Sequence, residues 1–179
     1  MSIISSPLVL IGLPGCLLLL VVLLTRPTWR RGVGATLAGL TVAGLDLLVD
    51  MVAHAQGWWS YPAMSTSYGP LLFYVATGLW YGSGVALIGW RLLRRFGQGG
   101  LLGLLGGMAV YGPVRDLLGA AATGVIAFGP GPVPLLADAS SWAGLTAVAQ
   151  GVMWVVAGPA SADPLAPPVW LHRRHPCEK

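Results

Sequence analysis

The chain has 179 residues, of which 55% are hydrophobic and only 9% are charged. Soluble domains carry about 25% charged residues, so the composition excludes an ordinary soluble fold, and the apolar content excludes a disordered chain. The formal net charge of +4 does not indicate a nucleic-acid partner, because the basic residues lie at the ends of apolar stretches, where membrane proteins carry orientation signals.

Five apolar stretches predict an all-α integral membrane bundle of five transmembrane helices. A spanning helix needs about 17–25 mostly apolar residues, and the candidates in chain order are 8–24, 33–55, 70–93, 101–128 and 142–158. The first stretch lacks the basic leader and the cleavage site of a signal peptide, so we interpret it as a retained helix. Residues 1–158 then form one transmembrane domain, and residues 159–179 form a basic, proline-rich tail.

The basic residues predict the orientation of the bundle. Nine of the ten fall between spans one and two, between spans three and four, or after span five: Arg26, Arg30, Arg31, Arg91, Arg94, Arg95, Arg173, Arg174 and Lys179. Residues 56–69 and 129–141, which face the other side, contain no Lys or Arg. Since cytoplasmic loops carry the excess of basic residues, we expect the N-terminus outside and the C-terminus in the cytoplasm, in the plasma (inner) membrane.

Small residues recur at four-residue spacing in three of the spans, a pattern that lets membrane helices approach closely. The pairs are Ala35 with Gly39, Gly78 with Gly82, and Gly103 with Gly107. They predict either packing within the bundle or self-association, and the sequence does not distinguish the two. A homo-oligomer therefore stays open.

Ionisable residues inside the second span are the first functional signal, because each costs about 2.5–3.5 kcal/mol in hydrocarbon by insertion scales. Asp46, Asp50 and His54 follow one another at four-residue intervals. This spacing places them on one helical stripe about 12 Å long. The stripe predicts a polar surface in the outer half of the membrane.

The fourth span brings a second polar group, Arg115 with Asp116. Pro113 just before them predicts a kink. Arg115 lies far from the other basic residues and needs a counter-charge, for which Asp46 and Asp50 are the candidates nearest in depth. We therefore predict that both spans contribute to one polar pocket that opens outward.

We assign roles within this pocket by residue type. The carboxyls expected to do acid–base chemistry are Asp46, Asp50 and Asp116. The residues expected to bind substrate and to rim the pocket are His54, Trp58, Trp59, Tyr61, Trp80, Tyr111, Arg115, Asp138, Trp142 and Gln150. Aromatic faces next to an acid are able to stabilise a cation formed by protonation.

Asp46 and Asp50 are also candidate ligands of a metal ion. An Asp-x-x-x-Asp pair is able to hold Mg²⁺ against a diphosphate, and the spacing of Asp46 and Asp50 is similar to that in membrane prenyltransferases. That family has a second acid-rich motif and a much longer chain, and this sequence has neither. We therefore predict no metal and no cofactor.

The expected partners are membrane lipid and a small lipophilic molecule, lipid-like or isoprenoid-like, bound in the pocket. Whether that molecule is also transformed by acid–base chemistry is left open by the sequence. Two alternatives remain: a small proton-coupled transporter or channel-like subunit that works as a homo-oligomer, and a structural membrane protein whose ion-pair cluster only packs its helices together.

Overall fold

The computed structural model describes residues 7–62, 74–75 and 78–160, without the side chains of residues 7–14 and 123. These residues are predominantly helical. Two helical stretches, Trp29–Ala55 and Gly78–Ala122, are long and apolar enough to cross a membrane. Five spans are not shown and stay a prediction, and the tail beyond residue 160 lies outside the described residues.

Among the described residues, four long α-helices carry the fold, with short elements between them. In chain order the elements are α1 (Pro7–Thr25), α2 (Trp29–Ala55), β1 (Trp59–Ser60), a π-helix (Gly78–Gly82), α3 (Ser83–Thr123), β2 (Ala127–Phe128) and α4 (Val133–Ala157). Helix α2 begins where it does because the Thr28 side chain accepts a hydrogen bond from the Arg31 backbone N–H at 3.4 Å.

Helix α3 is bent back on itself at Gly97. This residue has φ 61° and ψ −145°, a non-helical conformation that glycine adopts without a side-chain clash. The first arm, residues 83–96, and the second arm, residues 98–123, then run side by side, so that the Arg115 guanidinium lies 5.2 Å from the centre of the Tyr81 ring. Pro113 keeps helical backbone angles within the second arm, so the break in α3 is at Gly97.

Small residues form the contact between α2, the first arm and α4. The core includes Ala35, Ala38, Val42, Ala86, Leu87, Ala149 and Met153. A Cβ at Gly39 would collide with the Gly78 carbonyl oxygen, and one at Gly82 would lie 2.9 Å from the Cα of Gly39. Two of the small-residue pairs therefore serve internal packing, whereas a Cβ at Gly103 or Gly107 would meet nothing within 4 Å.

One end of the bundle, which we call the basic end, holds Arg26, Arg30, Arg31, Arg91, Arg94 and Arg95. Arg31 is only 2% exposed and donates hydrogen bonds to the carbonyls of Gly158 (2.8 Å) and Pro159 (2.9 Å). Arg91 donates to the Leu24 carbonyl at 3.2 Å. These guanidinium groups satisfy carbonyls that helix ends leave without partners, and their charge opposes the negative end of the helix dipole. Arg31 thus has a structural role in addition to the orientation role predicted from the sequence.

Candidate functional site

The opposite end, which we call the acidic end, is closed by two paired strands. β1 and β2 are antiparallel, with Trp59 opposite Phe128 and Ser60 opposite Ala127. The Gly129 backbone N–H donates to the Trp58 carbonyl at 2.8 Å. The segment after α2 and the segment after α3 are therefore joined above the ends of those helices. Sequence reasoning missed this pairing, because strands of two residues have no detectable periodicity.

Asp50 is held at both of its carboxylate oxygens. It is 5% exposed, and it accepts hydrogen bonds from Trp59 Nε1 at 2.8 Å and from the Tyr74 hydroxyl at 2.6 Å. The Tyr61 side chain also forms a hydrogen bond with it. Because each carboxylate oxygen has a donor, Asp50 fixes β1 and the Tyr74 side chain to helix α2.

The position of Tyr61 beside Asp50 changes the pKa of its phenol. Burial raises the pKa of Tyr61 above its ordinary value, and the charges of Asp50 and Asp46 raise it further. Its hydroxyl therefore stays protonated and serves as a donor to Asp50 at any physiological pH. Tyr61 was predicted to belong to the pocket, and the structure brings it to the acid.

Asp46 lies one helical turn from Asp50 but has a different environment. Its side chain is half-buried and accepts no hydrogen bond from any described residue. The charges of Asp50, Arg115, Asp116 and Asp138 all act on it through space. Asp46 is therefore a carboxyl at the centre of a charged cluster that leaves its oxygens available to a ligand.

Arg115 is paired with Asp116. Its Nη1 lies 2.7 Å from Asp116 Oδ1, and its guanidinium lies over the rings of Tyr81 (5.2 Å) and Trp142 (5.4 Å). The expectation of a direct partner in Asp46 or Asp50 is thus wrong. Adjacent helical residues do not face each other, but the long arginine side chain reaches back to its neighbour, and the donors on Asp50 already occupy that carboxylate.

Trp142 connects α4 with the second arm. Its Nε1 donates to Asp116 Oδ2 at 3.0 Å, and its ring packs edge-on against Tyr111 with centroids 5.9 Å apart. A Cβ at Gly112 would collide with the indole ring. Gly112 is therefore what allows Trp142 to approach the arm closely enough to reach Asp116.

Asp138 lies one turn before Trp142, ahead of the predicted fifth span. It is 5% exposed, and its Oδ2 has no hydrogen-bond partner among the residues that the structure describes. Burial raises the pKa of Asp138 to about 7, with a smaller contribution from the charge of Asp116. A large fraction of this carboxyl is therefore neutral at physiological pH, and it is able to exchange a proton there.

Three predicted site residues have other surroundings. Gln150 follows Asp138 by more than three helical turns, and its side-chain amide donates to the carbonyls of Val85 (3.1 Å) and Ala86 (3.3 Å). Trp80 lies near Gly15 of α1. Trp58 packs on Trp59, with ring centroids 6.3 Å apart. The structure thus places Gln150 away from the acids, because it satisfies backbone carbonyls of the first arm.

His54 is half-buried, one turn beyond Asp50 on the same stripe of α2. Two tyrosines that were not predicted also belong here: Tyr74 binds Asp50, and Tyr81 stacks on Arg115. Both lie in an apolar stretch, where a phenol hydroxyl needs a hydrogen-bond partner. That requirement is the signal by which they could have been found.

The polar site, defined as Asp46, Asp50, Arg115, Asp116 and Asp138, holds four carboxyls and one guanidinium. Within the described ranges, no group of three or more His, Cys, Asp or Glu side chains is arranged to hold a metal ion. A cluster of this kind needs protons or a cationic ligand to balance its charge. The arrangement therefore suits proton transfer to a bound molecule.

Comparison with known proteins adds no relatives: no family model matches the chain, and neither the curated proteins nor the solved structures contain a significant match.

Proposed function

We propose that the chain spans the plasma (inner) membrane five times, with the acidic end outside and the basic end in the cytoplasm. Large apolar side chains are exposed on all four helices, among them Leu24 (67%), Leu102 (68%) and Val155 (74%). Apolar surface of this extent suits contact with lipid. The arginines of the basic end match the excess of positive charge on the cytoplasmic side.

The polar site, in this proposal, binds a small lipophilic molecule and transfers a proton to it. The observation that carries the proposal is the contrast between the two acids of α2. Asp50 has a donor on each oxygen, whereas Asp46 accepts no hydrogen bond from any residue in the described segments. A carboxyl without a fixed donor is free to meet a substrate and to give up its proton.

The chemistry follows from these positions. The Asp46 carboxyl protonates a carbon–carbon double bond, so that one alkene carbon gains hydrogen and the other becomes a cation. The negative charge of the neighbouring carboxylates of the site stabilises that cation. Loss of a proton from a neighbouring carbon to a carboxylate of the site restores neutrality, and the product is an isomer of the substrate. Asp50 acts as a positioning residue that holds β1 in place.

A closed pocket fits this proposal better than a transport path does. The core between the two ends consists of small and apolar side chains, including Ala38, Val42 and Leu87. A proton-coupled transporter needs a polar path that continues to the basic end. The apolar core therefore favours an enzyme or binding protein.

Mass spectrometry of lipophilic molecules that co-purify with the full chain tests the proposal. We expect a defined compound or a pair of isomers with the wild type. Asp46→Asn, which keeps the shape of the side chain but cannot release a proton at neutral pH, should shift the ratio toward a single isomer. Asp163→Asn, a charge change in the tail, is the control. Wild-type protein that carries only bulk membrane lipid would contradict the proposal.

A further inference from the structure

An open groove of about 630 Å³ runs along the second arm of α3, outside the polar site. Leu92 and Phe96 line the end at the turn between the arms, and Tyr111 lines the far end. Its floor contains Gly99, Gly103 and Gly107, where an added Cβ would meet nothing within 4 Å. The described part of the chain therefore leaves this face uncovered.

The length of the groove matches one lipid chain. Gly99 and Tyr111 are 12 positions apart, which on a helix is about 18 Å. The hydrocarbon core of a bilayer is about 30 Å thick, so one leaflet occupies about half of that. A single hydrocarbon chain that enters from the basic end thus fills the groove and ends near Tyr111.

The charge at the entrance selects the head group. The Arg95 guanidinium lies 5.4 Å from the centre of the Phe96 ring, at the mouth of the groove. Arg95 is exposed, and no carboxylate in the described segments lies within ion-pair distance of it. The aspartates of those segments cluster at the acidic end. An anionic head group therefore finds positive charge at this mouth without a competing acid.

We propose that the groove binds one hydrocarbon chain of an anionic phospholipid, with the head-group phosphate at Arg95. This site is separate from the polar site and concerns a lipid of the cytoplasmic leaflet. The tip of the chain reaches Tyr111, whose ring contacts Trp142. Occupancy of the groove therefore supports the wall of the polar site.

Native mass spectrometry of the full chain tests the proposal, with phosphatidylglycerol and phosphatidylcholine of identical chains as probes. Wild-type protein should retain one phosphatidylglycerol at least five-fold more often than phosphatidylcholine. Gly103→Leu fills the floor and should reduce retention at least five-fold. Gly151→Leu is the matched control, because Gly151 is an exposed α4 glycine with nothing within 4 Å of its Cβ position. Gly107→Leu replaces Gly103→Leu if that variant does not fold.

The charge at the mouth is tested separately. Arg95→Gln should bring phosphatidylglycerol and phosphatidylcholine close to equal retention, while Arg30→Gln, an exposed arginine elsewhere at the basic end, should keep the preference. Equal retention of both lipids by the wild type would overturn the proposal. So would a Gly103→Leu protein that keeps its lipid but changes from dimer to monomer, since the face would then bind a second copy of the chain.

Discussion

Asp46 and Asp50 show how two identical side chains, one turn apart, acquire different roles. Asp50 faces the indole of Trp59 and the phenol of Tyr74, and each donates to one of its oxygens. Asp46 lies one turn earlier in α2, and these donors bind Asp50 instead. A buried carboxylate with two charge-assisted hydrogen bonds stabilises the fold, whereas one without a fixed donor is available for chemistry.

This difference predicts opposite responses to the same substitution. In Asp50→Asn, the bonds from Trp59 and Tyr74 lose the carboxylate charge that strengthens them, so the free energy of unfolding falls by about 1–3 kcal/mol. Asp46→Asn should leave stability almost unchanged. Thermal unfolding in detergent, followed by tryptophan fluorescence, compares the two. Equal losses of stability would show that Asp46 has a structural partner as well.

Asp138 predicts a dependence of stability on pH. Burial raises the pKa of Asp138 in the folded chain to about 7, above its value in the unfolded chain. A raised folded-state pKa favours folding while the carboxyl is protonated, and this contribution is lost as the pH rises through about 7. The melting temperature should therefore be higher at pH 5 than at pH 8.

The variant Asp138→Asn distinguishes the contribution of Asp138 to this pH dependence from the contributions of Asp116 and Arg115. The amide stays neutral at both pH values, so the difference in melting temperature between pH 5 and pH 8 should shrink. An unchanged difference would assign the pH dependence to Asp116 or to another group of the site.

At the scale of the elements, close contact between helices depends on individual glycines. Gly112 allows Trp142 to lie against the second arm, where its N–H reaches Asp116. In Gly112→Ala, the added methyl group displaces the indole and should cost about 1–3 kcal/mol as overpacking. The melting temperature measures this loss. Gly106→Ala in the same arm is the control, because a Cβ there meets nothing within 4 Å. That variant should be neutral or more stable, and equal losses in both would exclude the contact as the cause.

The stripe of α2 could be predicted from sequence, because helical periodicity depends only on local spacing. The partners of the polar side chains could not be predicted from the sequence. Arg115 forms an ion pair with its sequence neighbour Asp116, and Gln150 donates a hydrogen bond to a backbone carbonyl of the first arm. Both depend on how helices are rotated about their axes. The pairing of β1 with β2 could not be predicted either, since contacts between short segments far apart in the sequence leave no local sequence pattern.

At the scale of the whole molecule, charge is divided between the two ends. The arginines near Trp90 and the carboxyls near Trp142 lie at opposite ends of the bundle, and apolar side chains cover the helices between them. In the proposed orientation, the membrane encloses this apolar middle. The division of charge thus agrees with the asymmetry of a cytoplasmic membrane.

Cysteine labelling in intact cells tests that orientation. Gln56 is exposed at the acidic end and Arg30 is exposed at the basic end. A membrane-impermeant thiol reagent should label Gln56→Cys and leave Arg30→Cys unlabelled until the cells are opened. The reverse pattern would place the polar site toward the cytoplasm. Labelling of both positions in intact cells would contradict a chain that crosses the membrane between them.

The central claim is proton transfer from Asp46 to carbon, and deuterium uptake measures it most directly. Membranes that contain the full chain and its co-purifying molecule are incubated in D₂O, and the extracted molecule is analysed by mass spectrometry. Protonation of an alkene carbon from Asp46 places a stable deuterium on carbon, so we expect uptake with the wild type and none with Asp46→Asn. A bound molecule that gains no deuterium on carbon with the wild type, or equal uptake in both proteins, would contradict the account.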